Sequence, residues 1–223
     1  MSSPHPAAVL FDMDGTLLDS EKLWTIGLQD LCLWLGHDLD PHLRARIIGM
    51  DQAATVALLH EHWGLPASGV AAGTDWLLRR MKELFAEGVV WQPGARELLS
   101  AVRAAGLPTA LVTATGRELV DVIIGTIGPQ NFDVTVCGDE VSRNKPDPEP
   151  YLTAAARLGT KPGDCLAIED SPTGTESALA AGIPVLVVPG EVRPVPRPRT
   201  AIVDSLSDVD VAGLVRVHRR LTV

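Results

Sequence analysis

Six short apolar runs limit the fold of this chain more than any other feature: AAVLF at 7–11, TALV at 109–112, FDVTVC at 132–137, CLAI at 165–168, PVLVV at 184–188 and TAIV at 200–203. They are apolar throughout instead of alternating, which is the mark of strands buried on both faces. Helical patterns lie between most of them. PGARELLSAVRAAG (93–106) opens with Pro and closes with Gly, as helix ends often do. PEPYLTAAARLG (148–159) and SPTGTESALAAG (171–182) close the same way, and Ser171 is placed to cap the latter. Short buried strands alternating with helices predict a parallel sheet covered on both sides.

Residues 19–88 break this rhythm. They contain no convincing strand but several helical segments, with Trp24, Leu28, Leu31 and Leu35 on one helical face and Leu77, Met81 and Leu84 on another. Four of the five tryptophans (Trp24, Trp34, Trp63 and Trp76) fall here. A small helical module needs large side chains for its own core, and some of the same rings can line a cleft. The predicted layout is an α/β core of residues 1–18 and 89–223 with a helical insertion at 19–88. GEVRPVPRPR (190–199) reads as a connection before the last strand.

Composition removes several classes of function. With 19 Lys and Arg against 28 Asp and Glu in 223 residues, the net charge is −9, and no basic stripe exists to bind nucleic acid. Three dispersed cysteines (Cys32, Cys137 and Cys165) form no CxxC pair, which argues against a disulfide frame or structural zinc and favours a reducing cytoplasm. The N-terminal MSSPHPAAVLF lacks a basic leader, and no 18-residue apolar stretch exists to span a membrane. The expectation is a soluble cytoplasmic protein.

In open α/β sheets ligands bind beyond the carboxyl ends of the strands. The first run is followed by Asp12-Met13-Asp14-Gly15-Thr16, the second by Thr113-Ala114-Thr115-Gly116, the third by a loop carrying Lys145-Pro146, and the fourth by Glu169-Asp170. Taken singly, each has a plain alternative: an Asp-Gly turn, a solvated lysine, or acids charging a helix N-terminus. Together they bring four acids, an ammonium and a hydroxyl to one edge, an arrangement for a divalent cation plus a phosphate. Asp19 and Glu21, which follow closely, are assigned to the passage into the insertion.

FDMDGTLLDS, LVTAT, NKPDPEPY and AIEDSPTG, in that order, resemble the four motifs of the haloacid dehalogenase superfamily. The similarity is to the branch of β-phosphoglucomutase and the sugar-phosphate phosphatases. It spans nearly the whole chain and implies a Rossmann-like core, a helical cap, Mg²⁺ and an aspartyl-phosphate intermediate. Under that resemblance Asp12 is the nucleophile and Lys145 neutralises charge between it and the phosphate. Mg²⁺ is held by Asp12, the Asp14 carbonyl and Asp170, with Glu169 a ligand or just behind one. Thr113 and the backbone at Ala114 hold phosphoryl oxygens. Asp14 protonates the leaving alkoxide, a function that haloacid dehalogenases proper do not need.

The expected activity is hydrolysis of a small phosphorylated metabolite, a sugar or polyol phosphate, by a monomer, with a dimer as the alternative. A phosphomutase is the competing enzyme and a non-catalytic binder the competing class. Mutases of the family carry a cap His and a cap Arg where this chain has Trp24 and Gln52, which weakens the mutase reading and marks both positions as candidate substrate contacts. HEHWG (60–64) is not HExxH, RVHRR (216–220) reads as a solvated helix end, and no GxxxxGK[ST] loop exists.

Overall fold

A computed structural model describes residues 5–48, 50–190 and 195–222, so 191–194 of the Pro/Arg-rich connection lie outside the described residues. The elements run β1 (Ala8–Phe11), α1 (Glu21–Trp34), α2 (Pro41–Ile47), α3 (Gln52–Trp63), α4 (Val70–Ala86), α5 (Ala95–Ala104), β2 (Thr109–Val112) and α6 (Arg117–Ile127). They continue with β3 (Val134–Val136), α7 (Glu149–Arg157), β4 (Cys165–Glu169), α8 (Pro172–Ala180), β5 (Val185–Val187), β6 (Thr200–Ile202) and α9 (Val211–Thr222).

The strands form one sheet in the order β3-β2-β1-β4-β5-β6, and each pairing is parallel. Strand order reverses between β1 and β4, where a doubly wound sheet opens a crevice. Each of the six apolar runs contributes its strand; β1, β2, β4 and β5 are buried at every position, as strands covered on both sides must be, while the edge strands β3 and β6 are partly exposed.

The two faces divide with a period of two. Val9, Phe11, Leu111, Leu166, Ile168 and Leu186 face one core together with Leu98, Leu119, Ile123 and Leu214 from α5, α6 and α9. Ala8, Leu10, Ala110, Val112, Cys165 and Ala167 face the other, against Tyr151, Ala154 and Ala178 of α7 and α8. Truncating fully buried Phe11 to Ala would cost about 3–5 kcal/mol. Ser171 caps α8, its Oγ accepting from Gly174 N at 3.0 Å.

The four helices α1 to α4 occupy the interval that broke the pattern. In α1, Leu28 and Leu31 are buried, and in α4, Leu77, Met81 and Leu84, which are the faces the spacing indicated. Asp40 and Asp51 cap α2 and α3 through backbone N–H groups. The helical unit joins the sheet domain through two adjacent chain segments. Asp19 N donates to Val90 O at 2.9 Å and Gln92 N to Leu17 O at 2.8 Å. On the far side Lys82 of α4 pairs with Glu118 of α6. Three of the tryptophans serve the helical unit itself: Trp34 stacks on Trp76 at 5.7 Å and Trp63 on His37 at 4.4 Å. His60 is also buried there, its Nδ1 2.9 Å from Pro66 O.

Among the described residues the three cysteines are buried and unpaired, and no helix is long and apolar enough to cross a membrane.

Candidate active site

The carboxyl ends of β1, β2 and β4 and the loop before α7 meet at the switch point. Asp12 follows β1 directly, its backbone N–H bonded to Ile168 O at 3.0 Å, so it stands beside the end of β4. Lys145 reaches in from the loop and is almost completely buried. Its Nζ donates to Asp12 Oδ1 at 2.7 Å, to Glu169 Oε1 at 2.6 Å and to Val112 O at 2.9 Å. An ammonium has three donors, and all three are committed.

Glu169 is fully buried and also accepts from Tyr151 Oη at 2.5 Å and Ser171 Oγ at 3.3 Å. Its carboxylate lies where a side chain of Gly174 would be, since a Cβ there would fall 2.1 Å from both oxygens. Gly15 makes room in the same way for Asp170: its φ is +79° and a Cβ would lie 2.0 Å from Asp170 Oδ2. One oxygen each from Asp12, Glu169 and Asp170 lie within 4.8 Å of one another.

This crowding has an electrostatic cost. Burial and the neighbouring Glu169 charge push the Asp12 carboxyl up to about 8, against the opposing pull of Lys145. Asp170 is raised for the same reasons, burial first and then the charges of Asp12 and Glu169. Lys145 is raised as well, the two carboxylates overcoming its own burial. Three buried hard oxygens short of positive charge suit a divalent cation with oxygen preference.

Asp14 sits between the two parts of the molecule. Its Oδ1 accepts from Ser20 Oγ at 2.6 Å and Trp24 Nε1 at 2.9 Å. Its Oδ2 accepts from Thr115 Oγ1 at 2.7 Å and Thr113 Oγ1 at 3.3 Å. Asp12, Asp14, Thr113, Ala114, Lys145 and Asp170 line one side of a cavity, and Glu21, Trp24 and Arg44 face them from the helical unit above apolar Leu28, Ile47 and Leu77.

The structure thus gathers Asp12, Asp14, Thr113, Ala114, Lys145, Glu169, Asp170 and Trp24, but not Gln52. That residue opens α3 and lines a separate crevice with Glu118 and Asp139. The cationic residue of the helical unit at the cavity is Arg44, whose Nη2 donates to Glu21 Oε2 at 2.9 Å. Arg44 was missed because α2 carries no motif, and Glu21, read as part of the passage between domains, faces the cavity instead. Ser20, Thr115 and Tyr151 were also missed. The Thr-Ala-Thr spacing after β2 was a usable signal for Thr115, because alternate residues at a strand end point the same way.

A doubly wound sheet with acids on both sides of its switch point and a helical unit over them defines an enzyme of the capped α/β type. The chain belongs to the haloacid dehalogenase-like hydrolase family, whose pattern matches residues 9–188. It is 33% identical over 187 residues to a probable pseudouridine-5'-phosphatase of Drosophila melanogaster, covering 81% of this chain and 80% of that protein. With hexitol phosphatase A of Escherichia coli it shares 35% over 183 residues, covering 80% of this chain and 81% of the relative. The crystal structure of CbbY from Rhodobacter sphaeroides in complex with phosphate superposes with a TM-score of 0.83 at 27% identity, over 93% of this chain and 98% of that one.

Proposed function

We propose that this chain is a Mg²⁺-dependent phosphatase that hydrolyses a small phosphorylated metabolite, a sugar or polyol phosphate, through an aspartyl-phosphate on Asp12. The observation that carries the reading is the buried bridge of Lys145 between Asp12 and Glu169 at 2.7 and 2.6 Å, with Asp14 facing the same cavity. A carboxylate attacks an anionic ester only when the charge between them is neutralised. Asp12, Glu169, Asp170 and the Asp14 carbonyl would hold Mg²⁺, which when bound supplies positive charge to the phosphoryl oxygens.

In the first step an Asp12 oxygen attacks phosphorus as the ester P–O bond breaks. Asp14 gives a proton to the departing oxygen, help worth about 10²–10⁴ in rate. Thr113, the backbone at Ala114 and Lys145 hold the phosphoryl oxygens, Lys145 exchanging one of its present partners to do so. In the second step water attacks phosphorus, Asp14 takes its proton, and Asp12 is released. Residues 19–88 act as the cap, moving about the segments 17–20 and 86–92 to exclude bulk water in the first step and admit one molecule in the second. The Glu21–Arg44 pair offers hydrogen bonds to the hydroxyls of a polyol leaving group, whose carbons rest on Leu28 and Ile47. Buried unpaired thiols suit work in the reducing cytoplasm.

The test is a phosphate-release screen over sugar, polyol, nucleotide and short-acid phosphates, with and without Mg²⁺, on the wild type and Asp12→Asn. Release by the wild type alone, with radiolabelled phosphate trapped on Asp12, is expected. Covalent phosphate on any other residue defeats the reading. Product analysis with a hexose 1-phosphate separates hydrolysis from phosphomutase activity.

A further inference from the structure

Asp14 is held from two sides, one oxygen by each part of the molecule. The donors to Oδ1, Ser20 and Trp24, belong to the start of α1 in the helical unit. The donors to Oδ2, Thr113 and Thr115, belong to the turn after β2 in the sheet domain. The four differ in kind. A hydroxyl donates or accepts and can turn as a proton moves, whereas an indole N–H only donates. Trp24 is the one donor of the four that cannot reverse.

Two further observations fix that ring. It packs edge-on against Phe85 of α4, with centroids 6.0 Å apart and an interplanar angle of 88°. Ser20, beside it on Oδ1, occupies the N-cap of α1 yet makes no capping bond to that helix, its hydroxyl being turned to Asp14 instead. A fully buried N-cap serine that leaves its helix uncapped indicates that this end of α1 is arranged around the carboxylate.

We propose that Trp24 is a positioning residue for proton transfer by Asp14, not a reader of the substrate; the proposal rests on the phosphatase reading above. The indole N–H holds Oδ1 as a permanent acceptor. Oδ2, whose partners are reversible hydroxyls, is then the oxygen that gives its proton to the departing ester oxygen and later receives one from the attacking water. Because Trp24 rides on α1, seating the helical unit over the sheet edge brings this donor to Asp14.

The experiment compares two esters of similar size, p-nitrophenyl phosphate and phenyl phosphate, with Mg²⁺ present. Nitrophenolate departs without a proton, while phenolate, being more basic, gains from one. The value of kcat/KM reports only the steps through release of the phenol, so slow hydrolysis of the phosphoenzyme does not obscure it. Replacing Trp24 by 3-benzothienylalanine exchanges N–H for sulfur and keeps the ring packing, which guards against a variant that fails to fold. It should lower kcat/KM for phenyl phosphate by on the order of tenfold or more and that for the nitro ester only by about two- to threefold. Trp24→Phe should show the same bias, and Trp24→His, which restores a ring N–H, should recover part of the phenyl ester rate. An equal fall on both esters, or a histidine variant no better than phenylalanine, would assign Trp24 to packing and overturn the proposal. A rise in KM by the same factor for both esters would make it a substrate contact and overturn it as well. If the wild type cleaves neither ester and releases no phosphate in the wider ester screen, the phosphatase reading itself fails.

Discussion

The buried Glu169 gives the sharpest quantitative test, through Tyr151→Phe. Tyr151 is the chain's single tyrosine and is fully buried in α7. Burial and the adjacent Glu169 charge raise its phenol well above the ordinary value, so it remains a donor at any working pH. Its ring lies under Lys145, with Nζ 5.2 Å from the centroid, and phenylalanine keeps that contact. The substitution therefore removes one hydrogen bond and little else. Hydrogen bonds to charged groups contribute about 1.5–3 kcal/mol, and Glu169 cannot replace the lost donor with water in a fully buried position. For a chain of this size each kcal/mol moves Tm by roughly 2–4 °C, so a fall of about 3–12 °C is expected. The assay is a thermal melt with EDTA present, paired with titration of Mg²⁺. Losing an orienting partner behind a metal ligand typically costs 10–100-fold in metal affinity, which sets the second expectation. A Tm within about one degree of wild type, together with unchanged Mg²⁺ affinity, would refute the view that the Tyr151 hydroxyl orients Glu169 from behind.

Lys145→Met leaves Asp12 and Glu169 facing each other without their cation. Turnover of p-nitrophenyl phosphate should fall by on the order of 10³, and activity near that of wild type would remove Lys145 from the chemistry. EDTA should abolish hydrolysis and Mg²⁺ restore it, whereas Ca²⁺ should inhibit because it prefers more ligands at longer distances; full turnover in rigorously metal-free protein would rule the mechanism out. His218 of α9 is nearly fully buried, and burial pushes its imidazole below the ordinary 6.5, with Arg199 also acting downward and Asp164 upward. The unfolded chain then takes up the proton first, so stability relative to His218→Leu should be constant above about pH 6.5 and decline below it. Urea midpoints across that interval decide, and a difference that grows toward acid would reverse the sign.

Fold and site were not equally legible in the sequence. Strands were readable because burial on both faces imposes apolar residues at every position, as in Ala8–Phe11 and Cys165–Glu169. Residues at the strand ends could be placed from that alone, since the sheet brings its carboxyl edges together whatever the helices do. Contacts from the helical unit had no such guide. Arg44 reaches Glu21 across 23 positions, and no local pattern records that pairing. Gln52 illustrates the failure. It was singled out by alignment with a family motif, but Asp51 caps α3 and Gln52 begins the helix beside a different crevice. The rotation of a short helix about its axis is set by tertiary packing, and one residue of phase decides which side chain enters a site.

The charges around the cavity join these observations. Asp12, Asp14, Glu21, Glu169 and Asp170 are five carboxylates, and among the described residues Lys145 and Arg44 are the cations that stand against them. Arg44 is already engaged by Glu21 at 2.9 Å. Lys145 has no N–H to spare, since Asp12, Glu169 and the Val112 carbonyl take all three. An incoming phosphate dianion would thus meet excess negative charge and a lysine that must give up a partner to greet it. The lysine bridges two buried acids, Asp12 at 2.7 Å and Glu169 at 2.6 Å. Under the proposed mechanism a divalent cation supplies the remaining neutralisation, and Asp12, Glu169 and Asp170, with one oxygen each within 4.8 Å of one another, would hold it. Asp14, to which the proposed mechanism gives the proton exchange, is held in this negative cavity by four neutral donors, the hydroxyls of Ser20, Thr113 and Thr115 and the indole N–H of Trp24.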